Sequence, residues 1–503
     1  MLLERITEGL SAAIHPEALL FLLVGTLIGI VVGAAPGVGP TLGMSIMLPV
    51  AVRLDATNAI FLLVAINVAS NFGNAFPAIL VRVPGTPSAL LTVVEGSPFH
   101  DRGEGGRALY IALWASVLGQ LFGVLAFIAL VVPLSRVAGR FLFPELFAIV
   151  VFGIVAATGL VSTNAWKGIA AIGIGLTLAL PGADAITAIP RLTFGVGRLV
   201  QGMPIIPVTV GLLAFREVFL AASRRPKAIL GAPSSLRGSK WLSRADWKGI
   251  LAPTSIGTVI GIFIGAVPGA GAAVASFVAY QDIKGIYRKD QDFGKGSVRG
   301  LAAVESSNNS ATAGELVPTM ALGIPGATTM VVLMAALAAQ GLYLGPQLME
   351  SRPDLLYSTF GGLLISVVMM AIVGYLLIKP SIHLSQLSQA GTTAVTLILI
   401  VTATFSLRWS MFDVWVCFGT GVLGYVMTRF DFPVAPAALT FILGSVLEEN
   451  LRRGLVMTRG PAEFFLRPMT LSLLVAAATT FVLGVAMNRR IVDDRVGSDA
   501  TSK

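Results

Sequence analysis

Two stretches of this chain hold the residue types through which it could do chemistry. NVASNFGNAFPAILVRVPGTPSA, residues 67–89, and NNSATAGELVPTMALGIPGATTM, residues 308–330, align without gaps at a constant offset of 241. Asn67 falls on Asn308, Gly73 on Gly314, Pro77 on Pro318, and Pro84-Gly85 on Pro325-Gly326. Adjacent amides inside an apolar element, as at Asn308 and Asn309, offer carbonyl oxygens to a hard cation or hydrogen bonds to a substrate; the plainer alternative is that they tie neighbouring helices together. Asn67, Ser307, Asn308 and Asn309 are the candidate ligands of a Na⁺ ion. Glu315 suits cation binding or pairing with a buried arginine, whereas Glu305 reads as a complement to its helix dipole. Arg82, two residues before Pro84, either binds an anion or snorkels to an interface.

A second matched pair lies upstream of each stretch. GAAPGVGPTLG at residues 33–43 and GAVPGAG at residues 265–271 align at an offset of 232. Proline removes a backbone donor and glycine permits a sharp turn, so both copies break a helix inside an uncharged run. Paired Pro/Gly interruptions in two halves of a chain point to a transporter's midplane binding site, where half-helix N-termini present N–H groups to an anion. The candidate substrate-binding residues are Gly37, Gly39, Gly269 and Gly271 in these breaks. Asn71, Arg82, Pro84, Gly85, Thr86, Ser88, Pro325, Gly326, Thr328 and Thr329 join them from the stretches that follow.

Other chemistries find no support. A single cysteine, Cys417, excludes an intramolecular disulfide, and three histidines far apart give no metal-ligand spacing. No G-x-x-x-x-G-K-[ST] loop is present, so ATP hydrolysis through that motif is excluded. No nucleophile with a base, no acid–base pair and no metal cluster stands out, which argues against a membrane-embedded enzyme. The net charge of +9 comes from Lys and Arg placed between apolar runs, as the positive-inside rule expects, rather than from a nucleic-acid footprint.

The elements that must position these residues are membrane helices. Hydrophobic residues make up 55% of the chain against 12% charged, with a mean hydropathy of +0.84, more apolar surface than one soluble core can hide. Tyr110–Leu134, Tyr357–Ile378 and Pro468–Asn488 are long enough to span the hydrocarbon. MLLERITEGL lacks the small-residue cleavage site of a signal peptide, so the first helix is expected to stay. Ala18–Val52 holds no charge and would run about 50 Å as one straight helix, so it must fold back or break. Gly249–Gln281 is similar, and basic residues on both its flanks, including Arg224, Arg225, Lys227, Arg237, Lys240, Arg244 and Lys248, mark both ends as cytoplasmic. A chain that leaves and returns on one side has made a hairpin with Pro-Gly near its tip; a kinked full span is the alternative.

The fold class is therefore an all-α polytopic membrane protein. It has two repeats, read as inverted from the asymmetry of their flanking charge, each with a Pro-Gly re-entrant hairpin and a broken helix. The expected organisation is a first repeat and following helices over 1–221, a basic cytoplasmic loop over 222–248, a second repeat over 249–410, and C-terminal helices with a short polar tail over 411–503.

The residues also resemble a known family. GAAPGVGPTLGMSIMLPV, EGSPFHDRGEGGRAL, RLTFGVGRLVQGMPIIPVTVGLLAFREV, GAVPGAGAAVASFVAY, FGKGSVRGLAAVESSNNSATAGELVP and LGIPGATTMVVL are similar, in order, to blocks of the large membrane subunit, TctA-type, of the tripartite tricarboxylate transporters. The resemblance implies a sodium-coupled secondary importer of a small organic anion in the bacterial inner membrane. It further implies a periplasmic solute-binding protein and a small membrane subunit as partners, and no organic cofactor. The chain departs from the family pattern at Phe72-Gly73-Asn74-Ala75-Phe76, where a Tyr-Gly-Gly-Ser-like stretch is expected, and at Thr86, where an acid often follows the Pro-Gly. The substrate is accordingly left as a tricarboxylate, a dicarboxylate or a related organic acid. A stand-alone carrier or exporter of small organic anions is the alternative, distinguished by whether neighbouring genes encode the receptor and the small subunit.

Overall fold

The computed structural model describes residues 2–35, 39–139, 141–161, 164–184, 189–223, 242–380, 389–458 and 460–501. The first half contains α1 (Leu2–Ile14), α2 (Pro16–Ala34), α3 (Pro40–Ala51), α4 (Ala56–Gly73), α5 (Ala75–Leu80), α6 (Leu90–Asp101) and α7 (Gly105–Ala138). There follow α8 (Phe143–Val161), α9 (Ala165–Ala179), α10 (Ile205–Val210) and α11 (Arg216–Ser223). The second half holds α12 (Arg244–Gly265), α13 (Gly271–Ile286), α14 (Val298–Leu322), α15 (Thr328–Ala339), α16 (Pro346–Ser351) and α17 (Pro353–Leu377). The chain closes with α18 (Gln389–Arg408), α19 (Met411–Arg429), α20 (Val434–Met457), α21 (Pro461–Leu466) and α22 (Pro468–Thr501).

Among the described residues nine helical segments are long and apolar enough to cross a bilayer. Those at Gly105–Val137, Pro353–Leu377 and Pro468–Ala486 contain or closely match the three runs read from the sequence. This is a multi-pass, all-α membrane protein, with one two-residue antiparallel ladder pairing Gly182 with Arg191.

The two uncharged runs resolve as helix, break, helix. Ala18–Val52 becomes α2 and α3, with the tip residues Pro36, Gly37 and Val38 outside the described residues. Gly249–Gln281 lies within α12 and α13, broken between Gly265 and Gly271. Most of the basic loop, residues 224–241, also lies outside the described residues.

Glycines set the packing of these helices. A methyl carbon in place of a hydrogen on Gly25 or Gly29 would fall 2.6 Å from the carbonyl oxygen of Leu62 or Ile66, and one on Gly33 would strike that of Ser70. In the second half, Gly257, Gly261 and Gly265 meet the carbonyls of Ala303, Ser307 and Ala311 in the same way. Each set follows the offsets of 232 and 241 read from the sequence. Small residues let helix backbones approach closely where lipid removes the hydrophobic drive to associate. Since contacts advance together along both helices, α2 runs parallel to α4 and α12 to α14. The chain between them, containing α3 or α13, must therefore reverse direction.

α4 and α14 form the centre. The chain is buried throughout from Asn58 to Leu80, as is α14 from Gly300 to Ala321. Buried among other helices, α14 can carry Ser, Asn, Thr and Glu that lipid would not tolerate. Outer helices show the opposite pattern, with Phe263, Val259, Ile372 and Val482 all more than half exposed toward what would be lipid. Side chains cap the starts of α4, α12 and α14: Asp55 accepts from the Thr57 and Asn58 amides, Ser243 and Asp246 form a capping box, and Ser297 accepts from Gly300.

The halves interlock. α7 packs along α14 while α17 packs along α4, so each half's long helix embraces the other half's centre. Glu95 of α6, fully buried, accepts from the Tyr280 hydroxyl at 2.6 Å. It also accepts from the backbone N–H groups of Gly294 at 2.7 Å, Gly296 at 3.2 Å and Ser297 at 2.7 Å.

Candidate functional site

The breaks in both halves converge on one cavity of about 440 Å³. Four helical segments begin at its wall: α3 at Pro40, a 3₁₀ turn at Pro87 that leads into α6, α13 at Gly271 and α15 at Thr328. Their N-cap residues, Gly39, Thr86, Ala270 and Ala327, make no side-chain capping bond. Pro40 and Pro87 carry no N–H and the Ala272 N–H donates to Glu315; the other first-turn N–H groups have no side-chain cap, unlike those of α4, α12 and α14. Each long helix end adds part of a positive charge.

Two glycines require their freedom here. Gly269 and Gly271 take φ of +82° and +62°, left-handed values that L side chains rarely adopt. The Gly269 N–H donates to the Gly326 carbonyl at 2.8 Å, which fastens one Pro-Gly break to the other. Gly326 is held in turn: its N–H donates to Thr319 Oγ1 at 3.2 Å, and a side chain on it would strike the Glu315 backbone.

The polar lining comes from Thr41, Asn67, Asn71, Thr86, Ser88, Glu315, Thr328 and Thr329. Among the described residues no Lys, Arg or His lines the cavity. Asn71 Nδ2 donates to the Asn67 carbonyl at 2.9 Å, Asn74 Nδ2 to Thr86 Oγ1 at 3.2 Å, and the Thr86 and Ser88 hydroxyls share a bond at 2.9 Å. Behind the cavity, Asn308 Nδ2 donates to the Asn71 carbonyl at 3.3 Å and Asn309 Nδ2 to that of Val68 at 3.2 Å. The side-chain oxygens of Asn67, Asn74, Asn308 and Asn309 are buried without a hydrogen-bond partner. Buried acceptors are normally satisfied, so four in one region call for a function.

Of the residues picked out from the sequence, Asn67, Asn71, Thr86, Ser88, Gly269, Gly271, Pro325, Thr328 and Thr329 line this cavity. Gly39 lies beside it, since a methyl there would meet Thr86. Gly85 packs on Asn74, just past Pro84, and Gly326 supports the wall through Gly269. Gly37 lies outside the described residues. Arg82 is not brought to the cavity: its side chain is 59% exposed and paired with Asp101. Ser307 is buried at α14 with its hydroxyl given to the Val304 carbonyl, one layer behind the lining.

Glu305 is more than a dipole complement. Its carboxylate accepts from the hydroxyls of Thr92 and Ser116, the latter at 3.3 Å, and is 1% exposed. Two contributions were not legible beforehand. Ala157 of α8 and Ala435, Pro436 and Leu439 of α20 close one side of the cavity; neither segment belongs to the matched stretches, and nothing in their apolar composition marks them. Thr41 was passed over although it directly follows the first break.

Comparison with known proteins agrees with this architecture. The profile described as "Tripartite tricarboxylate transporter TctA family" matches residues 19–439. An Agrobacterium vitis protein described as "Uncharacterized 52.8 kDa protein in TAR-I ttuC' 3'region" is 29% identical over 98% of this chain and 98% of its own length. A second from the same organism, "Uncharacterized protein in TAR-II ttuC' 3'region", is 31% identical over 47% of this chain and 98% of its own length. No solved structure matches. The family comprises transporter subunits rather than enzymes. With a profile match running from α2 into α20 and spanning every element of the cavity, the chain belongs to the TctA family of tripartite tricarboxylate transporters.

Proposed function

We propose that this chain is the translocating subunit of a sodium-coupled secondary importer of small carboxylates in the bacterial inner membrane. A periplasmic solute-binding protein delivers the anion and a small membrane subunit completes the assembly. One observation supports the reading above all: four helical N-termini without side-chain caps open on a single cavity that, among the described residues, has no basic side chain. Such a site holds an anion by N–H groups and dipoles, as at the broken helices of other secondary transporters. The unpartnered oxygens of Asn67, Asn308 and Asn309 supply the hard donors that Na⁺ takes. Uptake of [¹⁴C]citrate into proteoliposomes tests the reading: it should need both the receptor and a sodium gradient. Full-rate uptake by this chain alone would sink the tripartite assignment, and equal uptake with potassium replacing sodium would sink the coupling ion.

The two halves act as inverted repeats that expose one site alternately. The glycine contacts recur at matching positions in both halves, and Asn309 bonds to Val68, its own counterpart at the 241 offset. A residue that touches its counterpart lies on a pseudo-two-fold axis. In this reading the two breaks are re-entrant hairpins entering from opposite faces.

A further inference from the structure

Glu315 presents a problem for any anion that enters the cavity. It lines the wall, is 3% exposed, and has no ion-pair partner among the described residues. Its carboxyl accepts from the Thr329 hydroxyl, which donates to Oε2 at 3.3 Å, and from the Ala272 N–H. An ionised carboxylate here would repel the negative ligand that the four helix ends attract. Two carboxylates in one desolvated site do not both stay ionised; they share a proton.

Among the described residues the surroundings offer no fixed cation. α4 and α15 contain no charged side chain. On α7, Arg107 is engaged by Glu104 and Asp246, and Arg136 lies in its last turn. α12 carries Arg244, Asp246 and Lys248 in its first turns and no charge after them. α13 carries Asp282 and Lys284 near its end, with Tyr280 on Glu95. α6 carries Glu95, His100 and Asp101, and α16 carries Glu350. On α14 itself, Arg299 pairs with Asp290 and Glu305 is held by Thr92 and Ser116. None of these residues lines the cavity. Both contacts of the Glu315 carboxyl donate to it, which suits the ionised form that an incoming anion must convert, and among the described residues no cluster of His, Cys, Asp or Glu could hold a metal ion.

Building on the anion-binding reading of the cavity, we propose that Glu315 is the proton-carrying residue of this transporter: it is protonated when the anion binds, and donates a hydrogen bond to the ligand's carboxylate. One proton is taken from the side on which the cavity opens, rides on a Glu315 oxygen, and leaves to the other side with the anion. The sodium ion is held by the oxygens of Asn308 and Asn309, more than a helical turn earlier on α14, with that of Asn67 on the cavity wall.

The test uses the purified full chain in lipid nanodiscs, with infrared difference spectra and citrate as probe. At pH 7 the wild type should show the C=O stretch of a protonated carboxyl that is lost in Glu315→Gln and shifted in frequency in Glu315→Asp. Citrate affinity of the wild type should fall toward the one-proton limit of about tenfold per pH unit above pH 7, while Glu315→Gln binds with a flat profile. A wild-type spectrum without a band that responds to position 315, or a Gln variant that keeps the wild-type pH slope, overturns the proposal. If citrate fails to bind the wild type at every pH although the band is present, the anion-site reading fails and with it the role assigned to the proton. Should the Gln variant not fold, the Asp frequency shift and the wild-type slope decide alone.

Discussion

The side-chain amide of Asn309 donates to the Val68 carbonyl at 3.2 Å, and Val68 is the residue that occupies Asn309's place in the first matched stretch. The bond fixes the crossing of α4 and α14 and leaves Asn309 Oδ1 buried and unpartnered. Asn309→Ala is therefore expected to lower stability by only about 0.6 kcal/mol, the usual worth of an interhelical membrane hydrogen bond. Its sodium affinity in transport should fall about tenfold or more, equivalent to about 1.4 kcal/mol. Uptake measured against sodium concentration checks this, and an unchanged sodium dependence would remove Asn309 from the ion site.

Helix contact through glycine makes a sharper stability prediction. Gly261 has the Ser307 carbonyl 2.5 Å from where a Cβ would sit, whereas Gly285 has nothing within 4 Å. Gly261→Val should destabilise by about 1–3 kcal/mol or more through overpacking. Gly285→Ala should be neutral or slightly stabilising, by up to about 1 kcal/mol from helix propensity. Thermal unfolding of the two purified variants distinguishes them, and equal melting temperatures would contradict the parallel packing of α12 on α14.

Glu95 fastens the first half to the loop before α14. Glutamine at this position has only one acceptor oxygen for the amides of Gly294, Gly296 and Ser297 and the Tyr280 hydroxyl. Glu95→Gln should cost about 1.5–3 kcal/mol, the range for hydrogen bonds to a charged group, and Tyr280→Phe about 1 kcal/mol. Hydrogen exchange should speed up at residues 294–297 in the first variant. Unchanged protection there would mean that the loop is held by other contacts.

Opposite insertion of the two halves is open to chemical labelling. Cys417 is buried, at 1% exposure, and its replacement by serine leaves a clean background. A cysteine at Thr57 should react with an impermeant maleimide in cells whose outer membrane is permeabilised, and one at Ser243 only after the inner membrane is opened. Labelling of both from one side would show parallel halves.

Much of this architecture was written in local chemistry. Uncharged runs too long for one span, each holding Pro-Gly, demand a break because a proline withdraws a backbone donor and glycine allows the turn. The helices observed stop at Ala34 and Gly265 and resume at Pro40 and Gly271, on either side of those residues. The matched breaks and stretches likewise marked Asn67, which falls on Asn308, Gly271, which falls on Gly39, and Thr329, which falls on the hydroxyl residue Ser88, because the same residue types recur where the same local task recurs. What lies between distant segments had no such trace. That Arg82 turns to Asp101 and away from the cavity depends on where α6 ends, and Arg82 reads the same on the sequence whichever way it points. The closing of the cavity by Ala435, Pro436 and Leu439, and the capture of Glu95 by amides about two hundred residues later, follow from how whole helices pack. Glu315 shows the division most clearly. Its type and place on an apolar helix were legible, but the absence of any cation beside it among the described residues, and the presence of four helix ends around it, are facts of three-dimensional position, because charge balance in a desolvated site is set by every element that reaches it.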